Sequence, residues 1–327
     1  MKKELLEVLR CPSSGSKLQL VDPIFENNEV KSGTLISSKS NDKFKISNFI
    51  PRFVPNSNYA DNFGMQWNRF SKTLLDSHSN HPISADRFWK STGWKKEEIS
   101  NNWVLDIGSG AGRFAEIALD AGAKVIALDY SNAVDACYSN LKHYKNFHVI
   151  QADIFSLPFL KNYFPFVYSL GVLQHTPNVN KAFNCVSLMV APNGKLCVDY
   201  YWRRLRTLLH SKYLVRPITK RMNQERLFKL LEKTTPYLLK SSRILGSIPF
   251  IGKLLQRIVP VANYSNVYPL SEKKLIEWAL MDTFDMLSPK YDNPQSKKRI
   301  FKWMKMCGYK NIEIFHSTLL VSRGIKK

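Results

Sequence analysis

Cysteine is sparse in this chain. Cys11, Cys137, Cys185, Cys197 and Cys307 are scattered through 327 residues and odd in number, which argues for reduced thiols rather than a disulfide framework. No window reaches the roughly eighteen uninterrupted apolar residues of a membrane span. The nearest approach, residues 244–261, is broken by Lys253, Arg257 and two prolines. The opening MKKELLEVLR carries Glu4 and Glu7 where a secretory leader needs an apolar core, so a cytoplasmic location is expected. Acids are also in short supply: 26 Asp and Glu face 48 Lys and Arg, a formal charge of +22. That excess invites an anionic partner such as RNA, phosphorylated lipid or a membrane surface, although a basic solvated surface accounts for it equally well.

What is present is an ordinary globular composition, 44% hydrophobic and 23% charged, long enough for one large domain with an appendage. The chain is organised around residues 103–130, WVLDIGSGAGRFAEIALDAGAKVIALDY. Val104, Leu105, Asp106 and Ile107 suit a buried parallel strand. Gly108, Gly110 and Gly112 follow, where the missing Cβ lets the backbone turn sharply and pass close to a ligand. Phe114, Ile117, Ala118 and Leu119 then fall at helical spacing until Gly122, and a second apolar strand, residues 124–128, ends on Asp129. Strand, glycine turn, helix, strand and terminal acid form a βαβ nucleotide-binding unit whose acid sits where ribose hydroxyls are held.

The glycine spacing distinguishes the nucleotide. Arg113 stands where a dinucleotide fingerprint has its third glycine, and the run reads D-x-G-x-G-x-G from Asp106. That pattern resembles the first motif of class I S-adenosylmethionine-dependent methyltransferases with a type 11, UbiE-like core. The resemblance implies an α/β, Rossmann-like fold: a mostly parallel seven-stranded sheet with helices on both faces. It also implies S-adenosyl-L-methionine as cofactor, with Asp106, Gly108, Ser109, Gly110 and Gly112 toward its methionine part and Asp129 with Tyr130 at its ribose. A third strand, residues 147–151, leads to Asp153 and Ile154, which match the family's contacts to the adenine amino group and ring. After a fourth strand, residues 164–170, comes GVLQHTPN, similar to the small-molecule branch of the family. Gly171 would then border the cofactor. His175 is the one histidine placed to act as a base on a hydroxyl, or else it orients the loop.

The remaining segments divide around this core. Residues 1–56 resemble a zinc-ribbon-like Trm112 module that has lost its metal: Cys11 remains, and Ser14, Ser37 and Ser40 occupy the other knuckle positions, where hydroxyls are poor zinc ligands. Residues 57–202 would form the core with its cofactor site. Within its upstream segment Gln66 and Trp67 are either cofactor contacts or part of an apolar helix face. Ser131 is placed to cap a helix through 133–141, and Pro192, Asn193 and Gly194 form a turn in which glycine takes a positive φ. Residues 203–290 read as an inserted basic helical cap. Between Trp202 and Arg257 fourteen Lys or Arg accompany only Glu225 and Glu232, with Leu and Ile between the charges. Such a cap could rest on an anionic membrane, grip a phosphorylated lipid, or touch neither. Residues 291–327 supply a helix and the closing antiparallel strand pair. By the same resemblance Asp285, Ser288 and Tyr291 lie near the substrate opening.

The expected activity is methyl transfer, without a metal, to a small molecule or a glycan- or lipid-linked intermediate, most simply through oxygen. RNA methylation is the second reading and a non-catalytic binding module the third. The sequence leaves the acceptor atom and the oligomeric state open.

Overall fold

The computed structural model describes residues 1–54, 60–204 and 210–327. Its centre is five parallel strands, β5 (Trp103–Ile107), β6 (Lys124–Asp129), β7 (Phe147–Gln151), β8 (Phe164–Ser169) and β9 (Val190–Tyr200). Two further strands, β10 (Tyr309–His316) and β11 (Leu320–Lys326), complete the core in the order β7-β6-β5-β8-β9-β11-β10, with β11 antiparallel to both neighbours. The central strands read as unbroken apolar runs because both faces are covered. Leu105, Ile107, Ile126 and Leu128 enter one hydrophobic cluster, while Val104, Val125, Ala127 and Val149 enter the cluster on the other side.

Helices Arg113–Asp120 and Ala133–Leu141 carry the crossovers between β5, β6 and β7, and Val179–Ser187 joins β8 to β9. Asn178 caps the last of these, its side chain accepting from Lys181 N. Ser131 does not occupy the cap position of the Ala133–Leu141 helix. Asn132 does, and Ser131 Oγ accepts from Ala133 N at 3.2 Å while donating to Asp129. The expected turn at 192–194 is absorbed into β9 as an irregularity opposite Phe164 and Phe166. There Asn193, not Gly194, takes the positive φ of 59°. Gly194 is needed for space, since a Cβ would lie 2.8 Å from the Ala191 carbonyl oxygen and 3.0 Å from that of Pro165.

The front of the chain extends the same sheet. Strands β1 (Leu18–Glu26), β2 (Glu29–Ser37), β3 (Lys43–Ser47) and β4 (Ile50–Arg52) form an antiparallel meander, and β4 pairs in parallel with β7 through Arg52 and Gln151, giving eleven strands in all. Arg52 fastens the junction by donating to Gln151 Oε1 at 2.7 Å and to Asp135 Oδ1 at 2.5 Å. Met1, Leu5, Leu9 and Leu35 share a hydrophobic cluster with Ile126 and Ile150. The knuckle positions converge: Cys11 Sγ lies 3.7 Å from Ser40 Oγ and 3.3 Å from Asp42 Oδ2, and Ser14 Oγ lies 3.3 Å from Ser37 Oγ. Among the described residues no three His, Cys, Asp or Glu come together as a metal-binding group.

Helices Lys212–Thr219 and Glu272–Leu287 reach the cavity at the carboxyl ends of the strands, and Gln224–Gly246 packs against Glu272–Leu287. Leu227, Phe228, Trp278 and Phe284 pack there with Phe70, Leu74 and Ile83 from the segment upstream of β5. Among the described residues no helix is long and apolar enough to cross a membrane.

Candidate active site

A cavity of about 710 Å³ opens where the carboxyl ends of β5 and β8 diverge, the place at which open α/β sheets receive ligands. Its floor is the glycine turn. Gly108 N and Ser109 N both donate to the Leu128 carbonyl, at 2.6 and 2.9 Å, which ties the turn to β6. Gly108 has φ 85° and Gly110 φ 53°, both in the left-handed region where a side chain is strained. Space is equally restrictive: a Cβ on Gly108 would sit 2.3 Å from a Val172 methyl, and one on Gly110 3.1 Å from the Trp67 indole.

Asp129 fixes this turn from the end of β6. Its Oδ2 accepts from Gly110 N at 2.9 Å, and its Oδ1 accepts from Ser131 N and Ser131 Oγ at 2.8 and 2.7 Å. Burial pushes the Asp129 carboxyl up, and those hydrogen bonds oppose the shift by favouring the charged form. Asp106 lies beneath the turn and does not line the cavity. Burial raises its carboxyl to about 8, countered by the Tyr168 hydroxyl and reinforced by the Asp129 charge. Gly112 likewise sits behind the cavity, where a Cβ would meet Leu141 at 2.6 Å.

The other sequence candidates separate in the same way. Tyr130, Ile154 and Gly171 line the cavity with Gly108, Ser109, Gly110 and Asp129. Asp153 does not; its Oδ1 accepts from Phe155 N at 2.9 Å, closing the local turn. Gln66 lines the cavity from helix Asp61–Arg69, its Nε2 donating to the Met281 carbonyl at 3.3 Å. Its Oε1 and the Ser109 hydroxyl are buried without a hydrogen-bond partner among the described residues. Buried polar atoms of that kind fit a ligand that brings its own donors. The bare turn, Asp129, Gln66 and Ser109 together suit the amino acid and ribose of S-adenosylmethionine.

His175 occupies the opposite wall. Its Nδ1 is 3.1 Å from the Tyr291 carbonyl oxygen, which can only accept, so that nitrogen carries the proton. Nε2 is therefore the basic nitrogen, and it is unpartnered among the described residues. Phe63 and Tyr201 hold the ring, with centroid distances of 5.2 and 5.4 Å. Tyr291 thus reaches the site through its backbone, Asp285 lines the cavity and accepts from the Tyr201 hydroxyl at 3.3 Å, and Ser288 is occupied with Asn62 at 3.1 Å.

Sequence reasoning missed a polar cluster on the far side. Asp199, buried near the end of β9, accepts from Gly171 N at 2.5 Å and from Arg87 Nη2 at 2.7 Å. Its signal was an acid inside the apolar run Leu196–Tyr200. Arg113, Tyr264 and Asp282 also line the cavity. Arg113 is lowered to about 10 by burial and then by Arg87, while burial raises Asp282 to about 6 against the hydrogen bond it accepts from Tyr264.

A family match falls on residues that build this geometry. Residues 105–198 match the family described as Methyltransferase domain. Over 130 residues the chain is 29% identical to the tRNA U34 carboxymethyltransferase of Pseudoalteromonas atlantica, covering 36% of this chain and 40% of that protein. Over 129 residues it is 28% identical to the ubiquinone/menaquinone biosynthesis C-methyltransferase UbiE of Rickettsia typhi, covering 36% of this chain and 52% of that protein. The chain thus spans about half or less of the curated relatives it matches. Among solved structures, the magnesium protoporphyrin IX methyltransferase of Synechocystis, determined with bound SAH, aligns with a TM-score of 0.44 and 13% identity over 82% of this chain and 97% of that one. The family match falls on the strands and turn that build the cavity, so residues 105–198 form a methyltransferase domain of the kind that uses S-adenosylmethionine.

Proposed function

We propose that the chain transfers a methyl group from S-adenosylmethionine to an oxygen of a small molecule or of a glycan- or lipid-linked intermediate. The observation that carries this reading is that one cavity contains both the glycine turn and a histidine whose basic nitrogen is unpartnered among the described residues. When bound, the donor supplies an electrophilic methyl on a positively charged sulfur. Asp129, the Gly108–Gly110 backbone, Ser109 and Gln66 would hold it. His175 Nε2 would take the proton of an acceptor hydroxyl held beside it, leaving the oxygen free to receive the methyl. Phe63, Trp67, Tyr201 and the cap exclude water and align the two reactants, which is most of what such a transfer asks of a protein.

The cavity supports an acceptor that is apolar in part and anionic in part. Trp202, Tyr268 and Trp278 line it together with Arg113 and Arg257, while Lys212, also in the lining, is paired with Asp292 at 2.6 Å. A second reading, methylation of RNA, draws support from the tRNA-modifying relative and the charge of +22. Labelled donor incubated with fractionated cell extract separates the two: label in lipid, glycan or small metabolites supports the first, and label in RNA replaces it with the second. His175→Gln should lower turnover by about 10²–10⁴-fold while leaving donor affinity unchanged. Full activity in that variant would remove the base from the mechanism.

For residues 1–56 we infer a Trm112-like module that has exchanged its metal for the serine and Asp42 cluster around Cys11, serving to dock rather than to catalyse. Stoichiometric zinc in the purified protein would overturn that reading.

A further inference from the structure

The cap leaves an apolar surface that its own packing does not use. The inner face of helix Gln224–Gly246 is buried through Leu227, Phe228, Leu231 and Leu239. Its outer face and the hairpin that follows expose Tyr237, Ile244, Ile251, Leu254 and Ile258, each more than half accessible, and Phe250 stands fully exposed at the tip. Phe250 takes φ 64°, a left-handed conformation uncommon for an aromatic residue, next to Pro249. Helix Lys212–Thr219 begins against the same hairpin, Ser211 N donating to the Arg257 carbonyl at 3.3 Å, and adds exposed Leu214 and Ile218 one turn apart. Contiguous exposed apolar groups of this extent mark an interaction surface rather than chance exposure.

The charge around that surface has one sign. No acid occurs between Glu232 and Glu272, whereas Lys233, Lys240, Arg243, Lys253 and Arg257 do. Lys240, Lys253 and Arg257 are exposed among the apolar residues; Arg243 instead pairs with Glu272 at 2.7 Å. Apolar side chains at a tip, flanked by exposed cations that form no ion pair among the described residues, suit the boundary of an anionic bilayer, where the chains enter the acyl region and the cations meet headgroup phosphates. A protein partner would have to supply an apolar face ringed by acids, and a second copy of this chain would oppose like charges.

We propose that the 237–258 hairpin, with the outer face of helix Lys212–Thr219, seats the protein on an anionic lipid bilayer. Arg257 lines the cavity while Leu254 and Ile258 beside it are exposed, so the surface that meets lipid is continuous with the cavity mouth. An acceptor with a lipid tail can then enter the site with its headgroup while the tail stays in the membrane. Attachment itself does not depend on what the cavity methylates.

The test is vesicle flotation of the full chain with phosphatidylglycerol/phosphatidylcholine vesicles and with pure phosphatidylcholine. Wild type should float with the anionic vesicles and at least tenfold less with the neutral ones. Phe250→Ser combined with Ile251→Ser and Leu254→Ser should lose at least tenfold of that binding, and Lys240→Glu with Lys253→Glu should lose it more steeply as salt is lowered. Calorimetry with S-adenosylhomocysteine on the same variants should be unchanged, which separates lost attachment from a lost fold and from failure of the methyltransferase reading. Equal flotation of the triple serine variant, absence of flotation by wild type, or sedimentation showing the hairpin buried in a stable dimer would each overturn the proposal.

Discussion

Replacing Asp129 with asparagine keeps the size of the side chain and changes only which hydrogen bonds its two ends can make. The carboxylate accepts at both oxygens, from Gly110 N at 2.9 Å on one and from Ser131 N and Oγ on the other. An amide has one acceptor and one donor end. Its better orientation keeps the Ser131 pair and sets the NH₂ against the Gly110 N–H, donor facing donor. One charge-assisted bond is lost, worth roughly 1.5–3 kcal/mol, and a buried donor is left unsatisfied at roughly 1–3 kcal/mol, so the turn should relax away at a net cost of about 2–4 kcal/mol. Because the displaced amide belongs to the turn that floors the cavity, affinity for S-adenosylhomocysteine should fall by about 10–100-fold, about 1.4 kcal/mol per decade. Titration calorimetry reads the affinity and thermal denaturation the stability. An Asp129→Asn protein with wild-type affinity would refute the assignment of this carboxylate to the donor site.

Gly108→Ala should be destabilising by about 2–4 kcal/mol, combining left-handed backbone strain with overpacking. Adding Val172→Ala should recover only part of the lost melting temperature, since it removes the methyls at 2.3 and 2.7 Å but leaves Val172 Cβ at 3.0 Å and the φ of 85°. For Asp106 the pH sign is definite. Its carboxyl is raised from 3.8 to about 8 by burial, so the folded state holds a proton that the unfolded chain releases, and stability is lost as pH rises from about 4 to about 8. The upper limit is about 6 kcal/mol across that window at about 1.36 kcal/mol per unit. Asp106→Asn should flatten this dependence in melting curves of the cofactor-free protein between pH 5 and pH 8; a parallel dependence in both proteins would show that Asp106 is already ionised.

The core was legible because its physics is local. Residues in β5, β6 and β7 are covered on both faces, and that produces the apolar runs seen in the sequence. The turn at Gly108–Gly110 admits almost no other residues, so its pattern is equally plain. The front meander announced its strands but not their neighbour, since β4 meets β7 through a single parallel pairing, Arg52 with Gln151, far apart in the chain. Arg87 and Asp199 are separated by a similar span, and Arg113 meets Tyr264 and Asp282 only because the cap folds back over the sheet. Sequence spacing also could not tell Asp129, which faces the cavity, from Asp153, whose carboxylate closes its own turn. The assignment of positive φ to Gly194 failed because neighbouring Asn193, a residue that tolerates the left-handed region, takes it instead.

The most direct measurement is a crystal structure of the full chain with S-adenosylhomocysteine. Continuous ligand density is expected on the Gly108–Gly110 backbone, within hydrogen-bonding reach of Asp129 and Gln66 and open toward His175. Ligand found elsewhere, or a cavity kept closed by Trp67 and Val172 at saturating ligand, would contradict it.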